Sequence, residues 1–184
     1  MRILLVHSSG PQGPGEGSDP FAARLRDQLG SDHEVSFPMM PHPEEPHYEP
    51  WSERLGQILE EADDPLVVVG HSLGGSVVLK HLADGGDSEP IARLLLLETP
   101  FWGREEEWEL EWALPEGWTA AETALPPTFL FHGRDDEEIP FSHLELYAKV
   151  LPDAEVHPLE GTGHLLDRGD LSEILDAIRG QADG

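Results

Sequence analysis

Ser72 sits at the centre of Gly70-His71-Ser72-Leu73-Gly74. A serine hydroxyl is a weak nucleophile at neutral pH. It becomes reactive when a base within hydrogen-bond reach takes its proton and a carboxylate orients that base. Both partner types occur later in the chain, the acids in His132-Gly133-Arg134-Asp135-Asp136 and a histidine in Gly161-Thr162-Gly163-His164. The order serine, acid, histidine is the one that accompanies a Gly-x-Ser-x-Gly turn. The chemistry open to such a trio is attack on an acyl carbonyl.

Groups so far apart meet only if the chain places them at one edge of a scaffold. The run Leu66-Val67-Val68-Val69 before the turn is short, apolar and β-branched, and the residues after Gly75 are apolar at helical spacing. This predicts strand, sharp turn, helix. Gly70 and Gly74 remove the Cβ atoms that would collide where strand and helix approach. The Leu73 N–H then lies at a helix N-terminus beside the Ser72 hydroxyl.

The same rhythm runs through the chain. Further strands are predicted over Ile3–Val6, His33–Phe37, Arg93–Glu98, Thr128–Phe131 and Glu155–Leu159. Helices are predicted from Ser18 or Asp19 to Leu29, then over Trp51–Ala62, from the serine turn to about Asp84, and over Pro140–Val150 and Leu171–Ile178. The proline-rich stretch Pro38–Pro50 is read as an extended connection. Its His42, Glu44, Glu45 and His47 lack a recognised metal geometry. Alternating apolar strands and helices imply an α/β fold, a three-layer α/β/α sandwich around a parallel sheet of about six strands. In such sheets functional groups collect at the carboxyl ends of strands. The acid loop follows the Thr128 strand and the His164 loop follows the Glu155 strand, so both fall at the edge that carries Ser72.

Ten histidines are present. His71 is locked in the turn. His33, His81 and His157 lie within predicted strands or helices. His132 ends a strand, where it fixes the acid loop. His164, after a glycine-rich loop, is the candidate base. Spacing alone does not choose between Asp135 and Asp136. The oxyanion requires two converging donors, the Leu73 N–H and one from the loop after the first strand, at Ser8 or Ser9.

The 184 residues fit one domain, 1–184. Within it, Thr99–Leu125 breaks the rhythm and holds four of the five tryptophans, with glutamates between them. It is read as a small Trp-rich cover over the site, with Trp102 and Trp108 as candidate pocket walls. A plain cover over the core would use the same residues.

With 11 basic against 37 acidic residues, the formal charge is −26. That argues against nucleic acid and anionic membrane surfaces as partners. Such acidity fits a protein working in high salt, and equally the ordinary acidity of a high-GC genome. The chain has no cysteine, which excludes disulfides and a thiol nucleophile. The apolar run Ile3–Val6 is too short for a signal peptide, and the expected location is cytoplasmic.

Assembled, these pieces resemble an α/β-hydrolase, and more closely the small lidless serine hydrolases related to the retinoblastoma-binding serine hydrolase. The resemblance rests on the compact first strand, Met40-Pro41-His42-Pro43 before Trp51, Gly70–Gly74, His132–Pro140 and Gly163-His164. It implies a compact fold without a large cap, and it places the acid at Asp136, the fifth residue of His-Gly-x-x-Asp. His7-Ser8-Ser9 replaces the His-Gly common after the first strand; matching positions puts the second oxyanion donor at Ser9. The implied activity is cleavage of carboxylic esters or thioesters, small-molecule substrates, through Ser72, His164 and Asp136, with no metal or organic cofactor. The alternatives are a non-enzymatic binding or scaffold protein on the same fold, and perhydrolysis by the same trio.

Overall fold

The computed structural model describes residues 1–103 and 107–181, with Glu107 and Trp108 described by backbone only. Six strands form one sheet: β1 Arg2–Val6, β2 Glu34–Ser36, β3 Leu66–His71, β4 Ile91–Leu97, β5 Thr128–Gly133 and β6 Glu155–Leu159. All pairings are parallel, in the order β2-β1-β3-β4-β5-β6. Five α-helices connect and cover it: α1 Asp19–Leu29, α2 Tyr48–Glu60, α3 Leu73–Ala83, α4 Ser142–Val150 and α5 Ser172–Arg179.

Alternation along the inner strands creates two cores. Ile3, Leu5, Val67, Val69, Leu95, Leu97, Phe129 and Phe131 pack against Phe21 and Leu25 of α1 and Ile174 and Ile178 of α5. Leu4, Val6, Val68, Leu94, Leu96 and Leu130 face the other way, onto Trp51 and Leu55 of α2, Val77 and Val78 of α3, and Leu144 and Tyr147 of α4. Strands buried on both faces read as continuous apolar runs, as parallel sheets require. The edge strands are more exposed. β6 tolerates Pro158 because its missing N–H would face away from β5.

The chain leaves β1 in one direction to β2, then returns to build β3 to β6 on the other side. The sheet order therefore reverses between β1 and β3, and the crevice beyond their carboxyl ends is where ligands bind in such sheets. The Ser8–Ser9 and Ser72 loops border it.

Two local expectations shift. α2 starts at Tyr48 rather than Trp51; Pro50 is accommodated in its first turn, where no intrahelical N–H bond is lost. Ser18 occupies the N-cap of α1 without a side-chain capping bond, because its hydroxyl is recruited elsewhere.

Candidate active site

The turn after β3 forces Ser72 to φ 52°, ψ −121°, a conformation that costs a non-glycine residue energy. Its glycines are obligatory. A Cβ on Gly70 would come within 2.5 Å of the Gly75 Cα, and one on Gly74 within 2.5 Å of the Val6 and His7 carbonyl oxygens. The second contact seats the start of α3 directly on the end of β1, bringing Leu73 beside the Ser8–Ser9 loop. Gly75 is equally tight, against Thr99, a constraint the sequence reading missed.

Three predicted residues converge here. His164 Nε2 lies 3.1 Å from Ser72 Oγ, and His164 Nδ1 lies 2.8 Å from Asp136 Oδ2. The carboxylate makes Nδ1 the protonated nitrogen, which leaves Nε2 free to accept the serine proton. Ser72 and His164 are 6 % and 8 % exposed, sheltered from bulk water yet reachable. The other oxygen of Asp136 accepts the Glu138 and Ile139 N–H groups at 2.8 and 2.9 Å. Burial pushes the Asp136 carboxyl upward, but hydrogen bonds from His132, His164 and the Ile139 N–H outweigh it and hold it well below the usual carboxylate range. Asp135 does different work. It accepts the Gly163 N–H and pairs with Arg168, both at 3.3 Å, so it braces the loop that carries His164.

His132 fixes the acid loop as expected. Its Nε2–H donates to the Ile139 carbonyl at 2.9 Å and stands 3.4 Å from Asp136. His71 proves more than a passive turn residue. Its Nε2–H donates to the His164 carbonyl at 2.8 Å, and its Nδ1 accepts the Ser18 hydroxyl at 2.8 Å. Full burial, with the nearby His164 adding to it, lowers the His71 pKa to about 3, so the ring is neutral and the donor pattern holds. Ser18 Oγ also accepts the Ser8 N–H at 3.0 Å. That consumes the Ser8 donor, whereas the Ser9 N–H has no hydrogen-bond partner among the described residues.

Trp102 Nε1–H donates at 2.8 Å to the Oγ of Ser76, which lies one helical turn beyond Ser72 on α3. Its ring is 6.4 Å from that of Trp112, which also meets Tyr48 edge-on. Glu111 Oε1 ties this stretch down by accepting the Tyr48 N–H at 2.7 Å and pairing with His47 at 3.1 Å. Ahead of Trp112 the chain forms a 3-10 helix, Glu107–Glu111; the Trp108 side chain lies outside the described residues. Sequence reasoning also missed Glu98, buried beside Asp136 and His132, and Glu138, whose exposed carboxylate lies 3.7 Å from His164 Nε2. Glu98, His132 and Asp136 are the one cluster among the described residues compact enough for a cation. The hydrogen on His132 Nε2, committed to the Ile139 carbonyl, leaves that nitrogen no lone pair for one.

A family model described as serine hydrolase matches residues 14–173. The chain belongs to the serine hydrolase family. The six-stranded parallel sheet with helices on both faces gives this serine hydrolase an α/β-hydrolase-like fold. The ydeN gene product of B. subtilis superposes with a TM-score of 0.73 at 17 % identity, over 97 % of this chain and 98 % of that one. Est1E from Butyrivibrio proteoclasticus gives 0.67 at 13 %, over 98 % and 86 %. The meta-cleavage product hydrolase CumD from Pseudomonas fluorescens gives 0.67 at 15 %, over 98 % and 91 %. At these identities the likeness is one of fold. No curated protein matches the sequence.

Proposed function

We propose that this serine hydrolase cleaves carboxylic esters or thioesters through a Ser72–His164–Asp136 triad and an acyl-enzyme intermediate. The observation that carries the reading is the continuous line from Ser72 Oγ through His164 to Asp136, at 3.1 and 2.8 Å. Ser72 attacks the acyl carbonyl while His164 Nε2 takes its proton. The imidazolium is stabilised by Asp136 and returns the proton to the leaving alcohol or thiol. Water, activated by the same histidine, then releases the acid. The negative oxygen of each tetrahedral intermediate is received by the Leu73 N–H at the start of α3 and the Ser9 N–H after β1. Ser9 is favoured over Ser8 because the Ser8 N–H is spent on Ser18.

In this reading residues 1–184 act as one domain with no large cap, and the 99–125 segment covers the site. Trp102 walls the pocket for the acyl or alcohol group. The chemistry needs no metal or organic cofactor, and the acidic surface fits a cytoplasmic protein that avoids nucleic acid and anionic membranes. Among the described residues no helix is long and apolar enough to cross a membrane.

Ser72→Ala is expected to abolish fluorophosphonate labelling and to lower p-nitrophenyl acyl ester turnover by about 10⁶-fold. Labelling that persists in the folded variant sinks the assignment.

A further inference from the structure

Glu98 takes no part in the steps above, yet it is fully buried at the end of β4 with φ 50°. A non-glycine residue keeps that conformation only when its surroundings demand it. Here it swings the carboxyl group beneath the end of β5. Both its oxygens face the Gly133 N–H, at 2.9 and 3.0 Å. The group also meets Asp136 and His132, an oxygen of each carboxyl and a ring nitrogen lying within 4.8 Å of one another. Two carboxyl groups this close, with both side chains buried and one ring N–H between them, favour holding one proton between them rather than two charges.

The charges around the pair lead to the same conclusion. His164 must be neutral to act as a base. Asp135 adds a nearby negative charge, and His143 of α4 faces His132 and Asp136. Between two ionised carboxylates the only shared donor among the described residues would be the His132 N–H. That N–H stands 3.4 Å from each of them and already donates to the Ile139 carbonyl at 2.9 Å.

We propose that Glu98 is a positioning residue: it remains protonated, donates its hydrogen to Asp136, and so fixes the single negative charge of the pair on the carboxylate that orients His164. This rests on the reading of Ser72, His164 and Asp136 as the triad. Asp136 is then gripped by the Glu98 hydrogen, by two backbone N–H groups and by the His164 ring, and its carboxylate cannot turn away from the histidine.

The test compares Glu98→Gln with Glu98→Leu. Glutamine keeps an acceptor for Gly133 and a donor for Asp136, so kcat/KM should stay within about threefold of the parent protein. Leucine keeps the bulk and loses the donor, and should cost about 10- to 100-fold, in kcat rather than KM. Infrared difference spectra at neutral pH should show a protonated-carboxyl carbonyl band in the parent protein that Glu98→Gln removes. A folded Gln variant as impaired as the Leu variant would overturn the proposal, as would absence of that band. If Glu98→Leu does not fold, the Gln variant and the spectrum still decide. The band is read without turnover, so it survives a failure of the triad assignment, which Ser72→Ala exposes separately.

Discussion

His164 reaches a serine 92 residues earlier and a carboxylate 28 residues earlier in the chain. What holds that geometry is a ring of buried groups whose protonation is fixed by their surroundings. His71 and Glu98 are the clearest, and they respond to pH with opposite sign. Burial lowers His71 from 6.5 to about 3, so between those values the unfolded chain binds the extra proton and stability rises with pH. Burial raises Glu98 from 4.5 to about 9, so over that range the folded chain binds the extra proton and stability falls as pH rises. Each slope is at most about 1.4 kcal/mol per pH unit. The two oppose one another where the ranges overlap; above it, Glu98 acts alone. Glu98→Gln removes its slope. Urea unfolding from about pH 5 to about pH 9 should show the variant gaining steadily on the parent protein. A gap that stays constant would mean that Glu98 titrates normally.

At the scale of elements, the site depends on how closely α3 approaches the ends of β1 and β3. The approach is set by glycines facing backbone, which cannot yield as a flexible side chain can. Gly74→Ala puts a methyl group 2.5 Å from the Val6 and His7 carbonyl oxygens at the end of β1. It should cost at least about 2 kcal/mol in urea unfolding and impair turnover, because lifting α3 separates Leu73 from the Ser9 loop. Gly85, at φ 97° with open space around it, is the control. Its alanine variant should lose about 1 kcal/mol from backbone strain and keep full activity. Equal losses of activity in both would mean that the packing of α3 on β1 does not position the site. The His71–Ser18 linkage works at the same level. It joins α1, the β1 loop, the serine turn and the His164 loop through buried hydrogen bonds.

The whole molecule carries 37 acidic and 11 basic residues on a compact three-layer body. Self-repulsion in the folded state is therefore relieved by salt. Raising ionic strength from about 0.1 M to about 1 M shortens the Debye length from about 10 Å to about 3 Å. The midpoint of thermal unfolding should rise by at least about 3 °C, corresponding to about 1 kcal/mol at this size. A midpoint that is flat or falls with salt would show that the charge is spread too thinly to destabilise the fold. The same measurement, paired with ester turnover at low and high salt, tests whether the acidity is an adaptation to salt.

The sequence by itself determined the scaffold and the serine turn. Apolar runs alternating with helical stretches encode the layers, because periodicity and burial act over a few residues. Gly70-x-Ser72-x-Gly74 declares its turn because the steric clash it avoids is local. The loops of His164 and the two aspartates were legible because strand order in a parallel sheet sends every strand's carboxyl end to one edge. Adjacent residues such as Asp135 and Asp136 share all of those signals. Resemblance favoured Asp136, but only the folded loop shows that one carboxylate meets the ring and the other braces Gly163. Glu98 was invisible for the same reason. Written as the last residue of an apolar strand, it gains its place from β5, about 35 residues away. Tertiary structure alone brought those two chain segments together, spent the Ser8 N–H on Ser18, and set a buried acid behind Asp136. Contacts between distant segments depend on which loops the sheet makes neighbours, and no local pattern records that.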